Sequence, residues 1–202
     1  MTNPFRILCI GDSHTAGFPL FDPMWGGDQK SSYEYWLEEL LIQHFSETVF
    51  HVENHGICGQ TSAEVYYRFK SHITQTKPYN LVIYWAGAND LAVGYPVSSI
   101  WQNLSNAYEL AKKNSLTFVL VTIPPMWQIL NRKIRKLNQK IREPDKGYLY
   151  HYVDVYSALE NQGLLNSQYD SGDGVHLSID GYNRVGEVIF NTISNIISNL
   201  LK

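Results

Sequence analysis

The sequence predicts an α/β protein, a parallel β-sheet covered by helices on both faces. Three observations predict it. Short continuous apolar runs recur along the chain, segments of helical period lie between them, and the two kinds alternate from one end to the other. Continuous rather than alternating apolar runs mark strands buried on both faces, as in parallel sheets. The 202 residues and 44% apolar content suit one domain, residues 1–202, with a full core.

The elements follow in order. Phe5 to Ile10 is the first strand, and the weaker run Thr48 to Asn54 is the second. Leu81 to Ala86, Leu116 to Ile123 and Tyr148 to Val155 are the third to fifth. Between them, Ser32 to His44 is helical, and so is Thr61 to Ile73, with Thr61 or Ser62 as N-cap and Glu64 in the first turn. Pro96 to Lys113 opens on a residue suited to a first turn. Met126 to Arg142 carries Leu130, Ile134, Leu137 and Ile141 as one apolar stripe, and Ser178 to Leu200 repeats the pattern through Tyr182, Val185, Ile189 and Ile193. Two stretches, Gly17 to Ser31 and Ser157 to Val175, are long irregular loops.

Composition excludes several classes. The net charge of -3 argues against a general nucleic-acid binder, so no nucleic-acid partner is expected. Cys9 and Cys58 are too few for a disulfide framework and are expected as free thiols. No run reaches the ~20 apolar residues of a membrane span, and the N-terminal apolar run is too short for a signal peptide, so a cytoplasmic protein is expected.

The residues at the strand ends carry the chemistry. Gly11-Asp12-Ser13-His14-Thr15 follows the first strand, Asn54-His55-Gly56-Ile57-Cys58-Gly59 the second, and Gly87-Ala88-Asn89-Asp90 the third; Asp173-Gly174-Val175-His176 precedes the last helix. In a doubly wound sheet these segments converge on one edge, where ligands bind. Ser13 is a candidate nucleophile, which needs an adjacent base. His176 is the candidate base, and Asp173, three residues earlier, can fix its tautomer. The Ser13 and Gly59 N–H groups and the Asn89 side chain are candidate donors to an oxyanion. Each has a plainer use: Ser13 and Thr15 as helix caps, Asn89-Asp90 and Asp173-Gly174 as turns. Asp12 and Asp90 are expected to brace loops.

These four blocks, in this order, resemble those of the GDSL-type (SGNH) hydrolase superfamily. The resemblance spans Gly11 to His176 and departs from the common pattern at His14, where leucine is frequent. It implies a flavodoxin-like, three-layer α/β/α fold with about five parallel strands. It also implies metal-free, cofactor-free hydrolysis of a small ester or thioester through an acyl-enzyme on Ser13. Alternatives are removal of acetyl groups from a sugar, acyl transfer to an alcohol, or, outside enzymes, a flavodoxin-like binding module. The last lacks both a phosphate-binding lysine motif and a dinucleotide fingerprint.

Three further groups stand out. Phe18, Phe21, Trp25 and Trp127 form an aromatic set that packs over the sheet edge or lines a substrate pocket. His51, Glu53 and His55 share one strand face, a spacing open to zinc, although solvated edge residues account for it better. His44, His72 and His151 are isolated. Arg132, Lys133, Arg135, Lys136, Lys140 and Arg142 place six of the sixteen basic residues on one helix, a solvated outer face or a site for an anionic partner.

Overall fold

The computed structural model describes residues 4–75, 78–144 and 147–202. Five strands form a parallel sheet: β1 (Phe5–Gly11), β2 (Phe50–Gly56), β3 (Leu81–Trp85), β4 (Thr117–Val121) and β5 (His151–Val153), in the spatial order β2-β1-β3-β4-β5. This is the flavodoxin-like order, with its switch point between β1 and β3. Eight helices accompany them among the described residues: α1 (Ser13–Ala16), α2 (Tyr33–His44), α3 (Ser62–Gln75), α4 (Ala88–Ala92), α5 (Val97–Lys113), α6 (Asn131–Arg142), α7 (Val155–Leu159) and α8 (Ile179–Leu200).

The period of two along the strands divides the core into two layers. Leu8, Ile10, Val82, Tyr84, Phe118 and Leu120 face α3, α5 and α6, where the α6 stripe of Ile134, Leu137 and Ile141 is buried. Ile7, Cys9, Leu81, Ile83, Val119 and Val121 face α2 and α8, against Leu37, Leu41, Val185, Ile189 and Ile193. Both faces are covered, so the central strands are apolar apart from Arg6 of β1 and Thr117 of β4, and the more polar β2 stands at the edge.

Boundaries differ from expectation where side chains have other partners. The Tyr148 to Val155 run is strand only over His151–Val153. Tyr148 and Tyr150 leave the ladder to pack against the ring of Tyr108, each at 5.4 Å, and Val155 opens α7 behind its N-cap Asp154. Helix α6 begins at Asn131 rather than Met126, because Trp127 turns outward ahead of a 3₁₀ turn at Gln128–Leu130. The N-terminus of α3 is as read: the Thr61 amide and hydroxyl both donate to Glu64, at 2.8 and 2.7 Å. The two long loops hold small hairpins, Phe21–Asp22 with Gly26–Gly27 and Glu160–Asn161 with Leu164–Leu165. Cys9 is buried and Cys58 exposed, both free.

Candidate active site

At the carboxyl end of the sheet, β1 turns into α1 at Gly11-Asp12-Ser13. A Cβ at Gly11 would overlap the Trp85 carbonyl and the Thr15 hydroxyl, so only glycine permits the turn. That turn presents the Ser13 hydroxyl beside the loop before α8. Ser13 Oγ lies 3.1 Å from His176 Nε2, and His176 Nδ1 lies 2.6 Å from Asp173 Oδ2. The other Asp173 oxygen accepts the backbone N–H groups of Val175 and His176, both at 2.8 Å. Burial alone would raise the Asp173 carboxyl. The hydrogen bonds from the His176 ring and from these two amides outweigh it and bring the carboxyl down to about 2. His176 is shifted below the ordinary imidazole value: burial lowers it, Asp173 opposes, and the neighbouring His14 lowers it further.

Asn89, in α4 after β3, donates one side-chain N–H to the Gln60 carbonyl at 2.9 Å. An amide NH₂ has two donors, so the second is free for a ligand. Gly59 occupies the Ile57–Gln60 turn with φ +81°, and a Cβ there would meet nothing within 4 Å. Among the described residues neither the Ser13 nor the Gly59 amide donates a hydrogen bond. Arg68, from α3, ties this edge together. Its guanidinium donates to the carbonyls of Gly11 and His55 and to the Gln60 side chain. Asp90 accepts both the amide and the hydroxyl of Ser62, each at 2.7 Å, and so braces the turn as expected.

Ser13, Asn89, Asp173 and His176 line a cavity of about 140 Å³, whose wall is completed by His14, Ala88, Ala92, Met126, Trp127 and Val175. Larger grooves lie elsewhere; that between Phe5, Phe45 and Leu201, at the opposite end of the sheet, also holds His44 and Ser46, which form no hydrogen bond with each other among the described residues. Of the aromatic set, Trp127 lines the cavity and donates its indole N–H to the Asp173 carbonyl at 2.9 Å. Phe18 sets its ring edge-on to His176 at 4.6 Å. Phe21 packs beneath Gly17, and Trp25 is 86% exposed; neither of these lines the cavity, nor do Phe18 and Gly59.

Two expectations change. Glu53 and His55 are joined by His72 from α3, with one ligand atom from each lying within 4.8 Å of the others, while His51 points outward. His72 is therefore not isolated: its Nε2 bonds the Tyr79 hydroxyl, which donates to Glu53, and Arg6 also holds Glu53. A period-two pattern within one strand carries no information about a helix packed across it. On the basic helix α6, Arg142 pairs with Asp154 and Arg135 donates to the Tyr156 hydroxyl. Arg132, Lys133 and Lys136 form no ion pair among the described residues.

Sequence reasoning missed His14 as a member of the site. It is 1% exposed, its Nδ1 lies 3.3 Å from Asp12 and its Nε2 3.0 Å from the Val175 carbonyl. The available signal was a histidine beside the candidate nucleophile, at a position where leucine would be the ordinary buried choice.

The fold, the four strand-end blocks and this geometry agree with the sequence comparison. Residues 9–184 match the GDSL-like Lipase/Acylhydrolase family, and the chain belongs to that family. An arylesterase from Vibrio mimicus is 30% identical over 122 residues, a match that spans 59% of this chain and 56% of that protein. Two solved structures share the fold. A member of the lipolytic protein G-D-S-L family from Veillonella parvula superposes with a TM-score of 0.75 at 17% identity, covering 94% of this chain and 98% of that one. The Clostridium thermocellum family 3 carbohydrate esterase gives 0.74 at 19% identity, covering 98% and 99%. No helix among the described residues is long and apolar enough to cross a membrane.

Proposed function

We propose that the protein is a serine esterase that hydrolyses small carboxylic esters or thioesters with a short acyl group. One observation carries the proposal, the hydrogen-bonded chain Asp173–His176–Ser13 at 2.6 and 3.1 Å. Ser13 Oγ attacks the carbonyl carbon while His176 Nε2 takes its proton. Asp173 holds Nδ1–H and stabilises the imidazolium that forms. The oxyanion is received by the free Asn89 N–H and the Ser13 amide, with the Gly59 amide joining if its exposed turn closes over the substrate. His176 then protonates the leaving alcohol or thiol, and water, deprotonated by the same nitrogen, releases the acid.

Family membership, the arylesterase likeness and the cavity size support this reading. The cavity of about 140 Å³ is small and partly enclosed by Met126 and Trp127, which favours a short acyl group over a long one. A second reading, removal of acetyl from a sugar, is favoured by the half-exposed indole of Trp127 on the cavity wall, a surface for stacking a sugar ring. The test is a panel of p-nitrophenyl esters from C2 to C12 beside acetylated sugars and acyl thioesters. A serine-directed phosphonate should inactivate the enzyme with one adduct, mapped to Ser13. An adduct elsewhere, or full turnover in Ser13→Ala, overturns the mechanism.

A further inference from the structure

His14 lies directly beneath the candidate base. The two imidazole rings are 5.6 Å apart at 32°, and Trp85 lies against His14 at 5.2 Å. His14 has an acceptor at each ring nitrogen. Nε2 meets the Val175 carbonyl, which can only accept, so Nε2 must carry a proton. Nδ1 meets the Asp12 carboxylate, which also accepts the His14 backbone N–H at 3.1 Å. A neutral imidazole has one N–H and would leave one of these contacts as two opposed lone pairs. The second Asp12 oxygen is buried and, among the described residues, without a hydrogen-bond partner, so a charge on His14 joins the field of Arg68 in offsetting the Asp12 charge.

We propose that His14 is a charged positioning residue, an imidazolium held by Asp12 that fixes the Val175–His176 loop and keeps His176 free of a second proton. The proposal rests on the reading of His176 as the base. The fixing is geometric: Val175 immediately precedes His176, so the bond from His14 sets the height of the base over Ser13. The charge acts through proximity. A cation about 5.6 Å away makes a second positive charge on His176 costly, so His176 is available as a base at lower pH.

The charged groups facing this pair come from three elements. Asp12, from the β1–α1 turn, and Asp173, from the loop before α8, favour the charged form of His14. The field of His14 in turn lowers His176, and Arg68 of α3 interacts with Asp12. Burial disfavours charge on His14, but the Asp12 hydrogen bond and field, with the Val175 carbonyl, overcome it and leave His14 above the ordinary imidazole value.

The first test is independent of turnover. In full-length protein with ¹⁵N-labelled histidine rings, both His14 nitrogens should resonate as protonated at pH 7.5, in the wild type and in Ser13→Ala. One unprotonated His14 nitrogen at that pH overturns the proposal. The second test is the pH dependence of Ser13 acylation by an activated acetate ester. His14→Leu removes tie and charge, whereas His14→Gln keeps a neutral donor toward Val175. In both, the acid limb should move up by about one pH unit, a roughly tenfold loss below it, with unpaired Asp12 adding to the shift. On the plateau His14→Gln should exceed His14→Leu by about tenfold, because only the tie is restored. An unmoved acid limb in both folded variants overturns the proposal. If neither variant folds, the ring-nitrogen spectrum of the wild type decides it. A wild type without esterase activity refutes the catalytic reading instead, and leaves the charge on His14 to be read from that spectrum.

Discussion

The molecule contains two histidine–aspartate pairs within a few ångströms of each other, and they behave in opposite ways. In Asp173–His176 the second ring nitrogen faces a serine hydroxyl, which can donate as well as accept. In Asp12–His14 it faces a carbonyl, which can only accept. His176 sits below the ordinary imidazole value and His14 above it, although His14 is the more deeply buried. The comparison teaches that a carboxylate beside the ring does not by itself charge a histidine: at His14 the Asp12 hydrogen bond and field, with the Val175 carbonyl, overcome burial, whereas at His176 burial and the neighbouring His14 overcome Asp173.

The sharpest way to break the comparison is to remove the carboxylate of the partly exposed pair. Asp173→Asn should lower kcat by about 10⁴-fold, because the amide stabilises the wrong tautomer of His176. Steady-state kinetics on the best short-chain ester decide it, and a loss below tenfold would mean that Asp173 does not orient the base. Asn89→Ala comes next. A donor that acts only on the transition state should cost ~10²–10³ in kcat with KM nearly unchanged. A folded variant with raised KM and intact kcat would make Asn89 a ground-state contact.

The wild-type pH profile sharpens the comparison at a smaller scale. In kcat/KM the acid limb should rise about tenfold per pH unit and end below the ordinary imidazole range, since only neutral His176 accepts the serine proton. A limb centred above pH 7 would contradict the direction of the His176 shift.

The smallest effect is on stability. Glu34, buried against Ser32, is pushed up to about 8 by burial, and His14 is raised as well. Both native groups hold protons that the unfolded chain releases, so their contribution is complete below the unfolded values and is lost as pH rises. For Glu34 that window runs from 4.5 to about 8. The melting temperature should fall from pH 5 to pH 9. Glu34→Gln should remove much of that fall, raising the midpoint at pH 9 by on the order of 5 °C. Calorimetry at the two pH values checks it, and an equal fall in both proteins would exclude Glu34 as its source.

The fold was legible because its main signals are local. Each apolar run of a doubly covered strand is continuous in sequence, and the stripes of α6 and α8 have one period from end to end. The fifth strand was over-extended because Tyr148 and Tyr150 look strand-like, yet their rings are claimed by Tyr108, a residue 40 or more positions away in sequence. At the site, Ser13, Asn89, Asp173 and His176 were named from blocks at strand ends, and the structure brings them to one cavity. What stayed hidden were contacts between elements: His72 joining Glu53 through Tyr79, Arg68 reaching Gly11, and Val175 supplying the second acceptor to His14. None has a spacing signature, since each depends on how a helix or loop packs after the sheet has formed.

Arg68 has a consequence for how the enzyme fails. One guanidinium holds the carbonyl ends of β1 and β2, and through Gln60 it also holds the partner of Asn89. None of those bonds belongs to a strand ladder or a helix. The alignment of nucleophile and oxyanion donors thus leans on side-chain bonds laid over the ladder that pairs β1 with β2, and Arg68 is the side chain that joins the most of them. On warming, catalysis and fold should part company: inactivation sets in while the sheet still gives its full circular dichroism, and Arg68→Met widens the gap between the two midpoints.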